Sequence, residues 1–229
     1  MASSSVARAV ECCLQLSRSG CLRVPVSAKS DAGLRLRDIA GSKTPCRLVV
    51  YWGAWKSPDV GPRHFLFLET LGKIRRLVET TLLVPASVEI VFTDTHALAN
   101  GVDSRLVQAA RAALVEALPP EFNLTAMSSL LDGETSISLE DFSQVPGAAR
   151  LVRFLEAQAA KLFDGDAASQ RASDYLLCNL AEAPRVAAAW PLGLFVHLGP
   201  PELRLMLPSL PFLHASSGPG GASRKPWFD

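Results

Sequence analysis

The stretch Arg47-Leu48-Val49-Val50-Tyr51 (RLVVY), with Ser87–Thr93 (SVEIVFT) about forty residues on, decides the fold. Both runs are short, β-branched and apolar, as a strand buried on both faces requires. Between them, His64–Leu83 places Phe65, Leu68, Leu71, Ile74 and Leu77 along one helical side and leaves Lys73, Arg75, Arg76 and Glu79 for water. Pro85 stops that helix. A strand, a crossover helix and a second strand make a parallel pair, and the right-handed crossover makes the two strands neighbours.

Working outward, Ser104–Leu118 reads as an amphipathic helix closed by Pro119-Pro120, and Phe122–Met127 as a third strand. Pro146–Phe163 and Ser169–Ala187 read as two helices separated by the turn Asp164-Gly165-Asp166. Leu192–Leu198 is a late strand, and Leu203–Leu207 and Phe212–His214 are expected to pair as short C-terminal strands. Near the start, Val6, Ala9, Val10, Cys13 and Leu14 form one apolar helical stripe. Residues 22–45, with Pro25 and Pro45, read as an irregular connection. The organisation expected is therefore residues 1–45 as helix plus connection and 46–229 as one α/β domain, with a mobile Gly/Ser-rich segment at about 216–224. The alternation implies a mainly parallel sheet covered by helices on both faces.

Composition narrows the function. Apolar residues make up 48% and charged residues 20% of the chain, which suits a packed core. The net charge of +1 supplies no field for nucleic acid or an anionic membrane surface, so neither is expected as a partner. The five cysteines include no C-x-x-C pair, which argues against a disulfide framework or structural zinc and for the reducing cytoplasm. No signal peptide and no eighteen-residue apolar run is found. G-x-G-x-x-G after a strand, the P-loop and the G-x-S-x-G elbow are absent. No cofactor is expected, and composition is silent on oligomeric state.

In a parallel sheet, ligands bind beyond the carboxyl ends of the strands. The first strand is followed by Trp52-Gly53-Ala54-Trp55-Lys56-Ser57, the second by Asp94-Thr95-His96 and Asn100, and the late strand ends at His197. Lys56 and Ser57 suit an anionic group, because Gly53 lets backbone N–H groups approach it; a solvated turn is the plain alternative. Asp94 suits a base or hydroxyl acceptor, or a turn cap. His96 titrates near neutrality and suits acid/base work, or is a hydrogen-bonded loop residue. His197 is an assisting group or a core histidine. On the late helix, Arg171, Tyr175, Asn179 and Glu182 share one side, which either faces water or closes the pocket. The expected set is thus Asp94, His96 and His197 for catalysis, with Trp52, Lys56, Ser57, Asn100, Tyr175 and Asn179 for a small, anionic substrate. No metal is expected, since Asp94 and His96 supply only two ligands and His197 is the one obvious third.

Three segments resemble the isocyanide (isonitrile) synthase family. Trp55-Lys56-Ser57-Pro58-Asp59 is similar to its K-S-P-N stretch. Val91-Phe92-Thr93-Asp94 is similar to its strand ending in S-D-G. Leu194-Phe195-Val196-His197, with Leu207–Pro211 and Lys225-Pro226-Trp227-Phe228, is similar to its S-I-H-P, L-I-P and P-W-H segments. Thr95, Leu198 and Phe228 stand where that family has glycine, proline and histidine. The resemblance implies a Rossmann-like α/β fold and a biosynthetic enzyme acting on an amino-acid-like or sugar-phosphate substrate. A non-catalytic ligand-binding homologue and a metal-dependent hydrolase using Asp94 and His96 are the other readings. Asp94→Asn keeps side-chain volume and removes charge, so binding or turnover is expected to be abolished with the melting temperature nearly unchanged. A fully active variant would reduce Asp94 to a turn cap.

Overall fold

The computed structural model describes residues 2–53, 59–131, 139–161, 163–199 and 201–216. Five strands, β1 (Cys46–Trp52), β2 (Ala86–Phe92), β3 (Phe122–Ala126), β4 (Leu194–His197) and β5 (Phe212–His214), form one sheet in the order β3-β2-β1-β4-β5. Every pairing is parallel. β1 runs beside β2 from Cys46–Ala86 to Trp52–Phe92, and beside β4 at Leu48–Leu194 and Val49–Phe195. The two runs read as adjacent central strands are neighbours. The chain order reverses direction between β1 and β4, so a crevice is expected beyond Trp52 and His197.

Side chains alternate across the sheet and so make two cores. Leu48, Val50, Trp52, Val88, Ile90 and Phe92 face α1 (Ala2–Arg18), α2 (Asp31–Ser42), α3 (Pro62–Leu82) and α5 (Ser104–Ala117). Val49, Tyr51, Val91 and Phe195 face α6 (Leu139–Ser143), α7 (Ala148–Ala159) and α8 (Asp166–Ala189). The structure is thus a Rossmann-like parallel sheet with helices on both faces. Among the described residues, no helix is long and apolar enough to cross a membrane.

Several local expectations are corrected. The stretch read as an irregular connection contains α2. Ser30 caps it by accepting from Gly33 N–H at 3.2 Å, and Lys43 ends it in the left-handed region at φ 55°. Its buried stripe is Ala32, Leu36, Ile39 and Ala40, spaced by helical turns but interrupted in sequence by Arg35, Arg37 and Asp38 on the outer side. In α1 the buried face is Ala9, Cys12, Cys13 and Leu16, whereas Val6, Val10 and Leu14 are 45%, 39% and 43% exposed. Small thiols let this helix lie close against α2 and α3. Burial pushes Cys12 and Cys46 up to about 12, so they stay neutral and behave as small apolar groups.

Leu203–Leu207, read as a strand, falls largely in a 3₁₀ helix (Pro201–Met206). Leu203 and Met206, three apart, are both buried, which is the period of that helix rather than of a strand. Phe212–His214 pairs in parallel with β4 instead. The stretch from Asp94, read as a loop, is a short helix, α4 (Asp94–Ala99). The proposed Gly/Ser-rich mobile segment lies, from residue 217, outside the described residues.

Leu36 is fully buried between α2 and the sheet-side core. Leu36→Ala is expected to lower unfolding free energy by about 2–5 kcal/mol in urea titrations. An unchanged midpoint would make α2 an appendage rather than part of the core.

Candidate functional site

α4 starts immediately after β2 and packs against α8, bringing two polar helical faces together on the Tyr51 side of the sheet. His96 and Asn100, one turn apart, are 6% and 7% exposed; Tyr175, Asn179 and Glu182 on α8 are 5%, 0% and 1% exposed. The polar stripe on α8 therefore faces inward. Arg171, at its outer end, donates to Ala99 O at 2.6 Å and satisfies the end of α4.

At the centre is the Glu182 carboxylate. Its Oε2 is bonded to His96 Nε2. Its Oε1 accepts from the Thr95 hydroxyl and from the Cys178 thiol, the latter at 3.1 Å. The rings of Tyr51 and Tyr175 meet the His96 ring edge-on at 6.0 and 5.3 Å between centroids. Burial, reinforced by the Glu182 charge, holds the Tyr51 hydroxyl and the Cys178 thiol well above their ordinary ranges, and burial does the same for Tyr175. All three remain protonated donors near neutrality, so Cys178 offers no free thiolate nucleophile. With His96 donating its Nε2–H to the Glu182 carboxylate, Nδ1 is left as the acceptor of the ring.

Two acceptors are unused. Asn100 Nδ2 donates to His96 O and Asn179 Nδ2 to Tyr175 O, both at 2.8 Å. The Oδ1 atom of each is buried and meets no donor among the described residues. An unsatisfied buried polar atom costs about 1–3 kcal/mol, so two beside one polar cluster call for an explanation.

The other expected residues are placed differently. Asp94 accepts from Thr95 N at 3.1 Å, from Ser128 N at 3.0 Å and from Ser128 Oγ at 2.5 Å, tying the start of α4 to the turn after β3. His197 is 3% exposed and stacks on Phe195 at 6.1 Å, which in turn meets Tyr51 at 4.9 Å; it lies on the same face, one ring removed from Tyr51. The backbone folds back over it, since a Cβ on Gly199 would stand 2.4 Å from its Cε1. Trp52 turns to the opposite face, where it stacks on Phe67 at 6.1 Å and meets the His64 ring at a tilt at 5.3 Å. Lys56 and Ser57 lie outside the described residues. Glu182, Cys178, Thr95 and Tyr51 were not among the expected site residues. The one signal for Glu182 was its place on the α8 stripe. A separate groove of about 790 Å³, lined by Arg35, Arg150, Arg204, Leu151 and Phe212, opens beside the start of β5 and involves none of these residues.

His64 accepts from Gly61 N–H at 3.0 Å through Nδ1, and burial draws its pKa below the ordinary 6.5. Burial, with Arg204 and Arg23 adding, does the same to His214. Below that value the unfolded chain binds protons the folded chain refuses, so stability is lost as pH falls. Urea midpoints are expected to drop from about pH 6.5 towards about pH 5, and His64→Gln is expected to flatten the decline. A midpoint constant over that range would refute the assignment.

No protein-family model matches the chain, and no curated protein matches it. Solved structures do. The PvcA protein from Pseudomonas aeruginosa superposes with a TM-score of 0.65 at 14% identity, over 98% of this chain and 88% of that one. Tyrosyl-tRNA synthetase from Archaeoglobus fulgidus, solved in complex with L-tyrosine, superposes with a TM-score of 0.52 at 14% identity, over 90% of this chain and 63% of the synthetase. At such identities the likeness is one of fold: this chain is similar to both in its parallel Rossmann-like sheet and its helical layers.

Proposed function

We propose that this chain is a small-molecule biosynthetic enzyme, similar in kind to isocyanide synthases, that takes an amino-acid-like substrate where α4 and α8 meet the carboxyl ends of the strands. The observation that carries the reading is the pair of buried, donor-less carboxamide oxygens of Asn100 and Asn179 beside the His96–Glu182 couple. Acceptors without donors select a ligand rich in N–H, and an ammonium group is the strongest such donor. His96 is the imidazole there that can pass a proton, and Glu182 holds its tautomer and orientation. Tyr51 and Tyr175 wall the imidazole on two sides. The sequence expectation adds Lys56 and Ser57 for the anionic end of the substrate, Trp52 as a further substrate contact, and Asp94 and His197 beside His96 in the catalytic set.

Two lines of likeness support the substrate class. The short segments around Lys56, Asp94 and His197 resemble those of isocyanide synthases. The synthetase that shares the fold was solved with L-tyrosine. The proposed setting is the cytoplasm, with a small anionic metabolite as partner.

Calorimetry with L-amino acids, their analogues lacking the amine, and sugar phosphates tests the proposal. An L-amino acid is expected to bind, and removing its amine to weaken binding at least about tenfold. Asn179→Leu is expected to weaken the amino acid similarly while leaving the melting temperature unchanged or raised, because it removes an unsatisfied acceptor. Equal affinity for the analogue without the amine would overturn the amine assignment. Binding with no turnover of any bound compound would favour the non-catalytic ligand-binding reading.

A further inference from the structure

Among the described residues, the metal-ligating atoms of His96, Cys178 and Glu182 lie within 4.8 Å of one another. We propose that these three side chains form a site for a zinc-like divalent ion, with the fourth position open to water or substrate. The inference deepens the reading above and rests on it only for where the substrate sits.

Geometry is the first support. Cys178 and Glu182 are one turn apart on α8 and so share a face, and His96 comes to them on α4, which packs there. With bond lengths of about 2.0–2.3 Å, ligand atoms around tetrahedral zinc stand roughly 3.3–3.8 Å apart. The cluster therefore needs only side-chain adjustment. Charge is the second support. Glu182 is 1% exposed, and its hydrogen-bond partners are an imidazole, a hydroxyl and a thiol, none carrying a fixed positive charge. On binding, the Cys178 thiol gives its proton to solvent, the imidazole proton of His96 moves from Nε2 to Nδ1, and the His96–Glu182 hydrogen bond is exchanged for a bond from each residue to the ion. A doubly charged ion, one thiolate and one carboxylate then sum to zero, which removes the cost of burying a net charge. Ligand chemistry is the third. Nitrogen, sulfur and oxygen donors suit a borderline ion better than magnesium or calcium, and three protein ligands with one open position is the pattern of catalytic zinc. Thr95 keeps its hydrogen bond to Glu182 and orients the carboxylate as an outer partner. Cys178 is partly exposed, so the cluster is reachable from solvent. With the ion in place, His96 acts as a ligand, and the ion polarises a substrate carbonyl or acidifies its bound water.

The test uses the full chain, stripped with chelator and titrated with zinc against a chromophoric competitor, and with cobalt by absorption. One zinc per chain is expected, with a thiolate-to-cobalt charge-transfer band in the near ultraviolet. Cys178→Ser is expected to abolish that band, and both it and His96→Gln to weaken zinc at least about tenfold. Thr95→Val is expected to retain one ion per chain. Absence of stoichiometric zinc, absence of the cobalt band in the unmodified chain, or zinc affinity unchanged from the unmodified chain in both ligand variants would overturn the site. If a ligand variant fails to fold, the unmodified chain's stoichiometry and cobalt spectrum decide alone. Amino-acid calorimetry on zinc-free and zinc-loaded chain separates the two proposals. A chain that takes one zinc but no amino acid refutes the substrate reading only, and a chain that takes an amino acid but no stoichiometric zinc refutes the metal site only.

Discussion

β1 is paired in parallel on both of its edges, to β2 and to β4. Parallel neighbours cannot be joined by a tight turn, so each connection has to cross a face of the sheet. That constraint places α3 on one face and α6, α7 and α8 on the other, and it buries β1 completely enough that Leu48 and Val49 have no exposure on either side. It also sends every strand's carboxyl end to the same edge. The helix that follows β2 and the turn that follows β3 are neighbours there, and α8 packs against both.

The polar cluster at that edge is a consequence. β2 passes directly into α4, so Thr95 and His96 arrive at the sheet's end on a short helix. α8 runs over the Tyr51 face and presents Tyr175, Asn179 and Glu182 to it. A carboxylate as buried as Glu182 is tolerated only when its oxygens are taken up, and His96, Thr95 and Cys178 do so. Removing His96 leaves a buried carboxylate oxygen unmatched, which typically costs about 1–3 kcal/mol or more. The same contacts that hold α4 against α8 therefore also concentrate proton-carrying and metal-ligating groups. Asn100 and Asn179 each spend their amide N–H on a carbonyl one turn back and leave an oxygen unmatched, an arrangement that suits a ligand-binding edge better than a packing core.

Much of this could be read from residue order. The β-branched runs marked β1 and β2, the strand and helix alternation marked a parallel sheet, and the strand-end rule drew notice to His96 and Asn100. The α8 stripe was visible because tyrosine and asparagine at helical spacing are poor choices for a solvated face. Other features were hidden for specific reasons. α2 has a full apolar stripe, but charged residues fall between its members and prolines flank it. Leu203 and Met206 follow a three-residue period that a short apolar run does not distinguish from a strand. Trp52 and Tyr51 are adjacent in sequence, and the alternation of a strand sends them to opposite cores.

What the sequence by itself determined is the class of fold and the edge at which polar groups gather, because hydrophobic period and the crossover rule are local properties of the chain. What only the tertiary structure decided is which polar groups meet. Asp94 and His96 are two residues apart, yet the start of a helix turns one to Ser128 and the other to Glu182. His96 and Glu182 are separated by 86 positions and come into contact because α8 crosses the face on which α4 begins. A partner at that distance leaves no trace in local spacing: the packing of two helices across a sheet edge sets it, not the order of residues within either one.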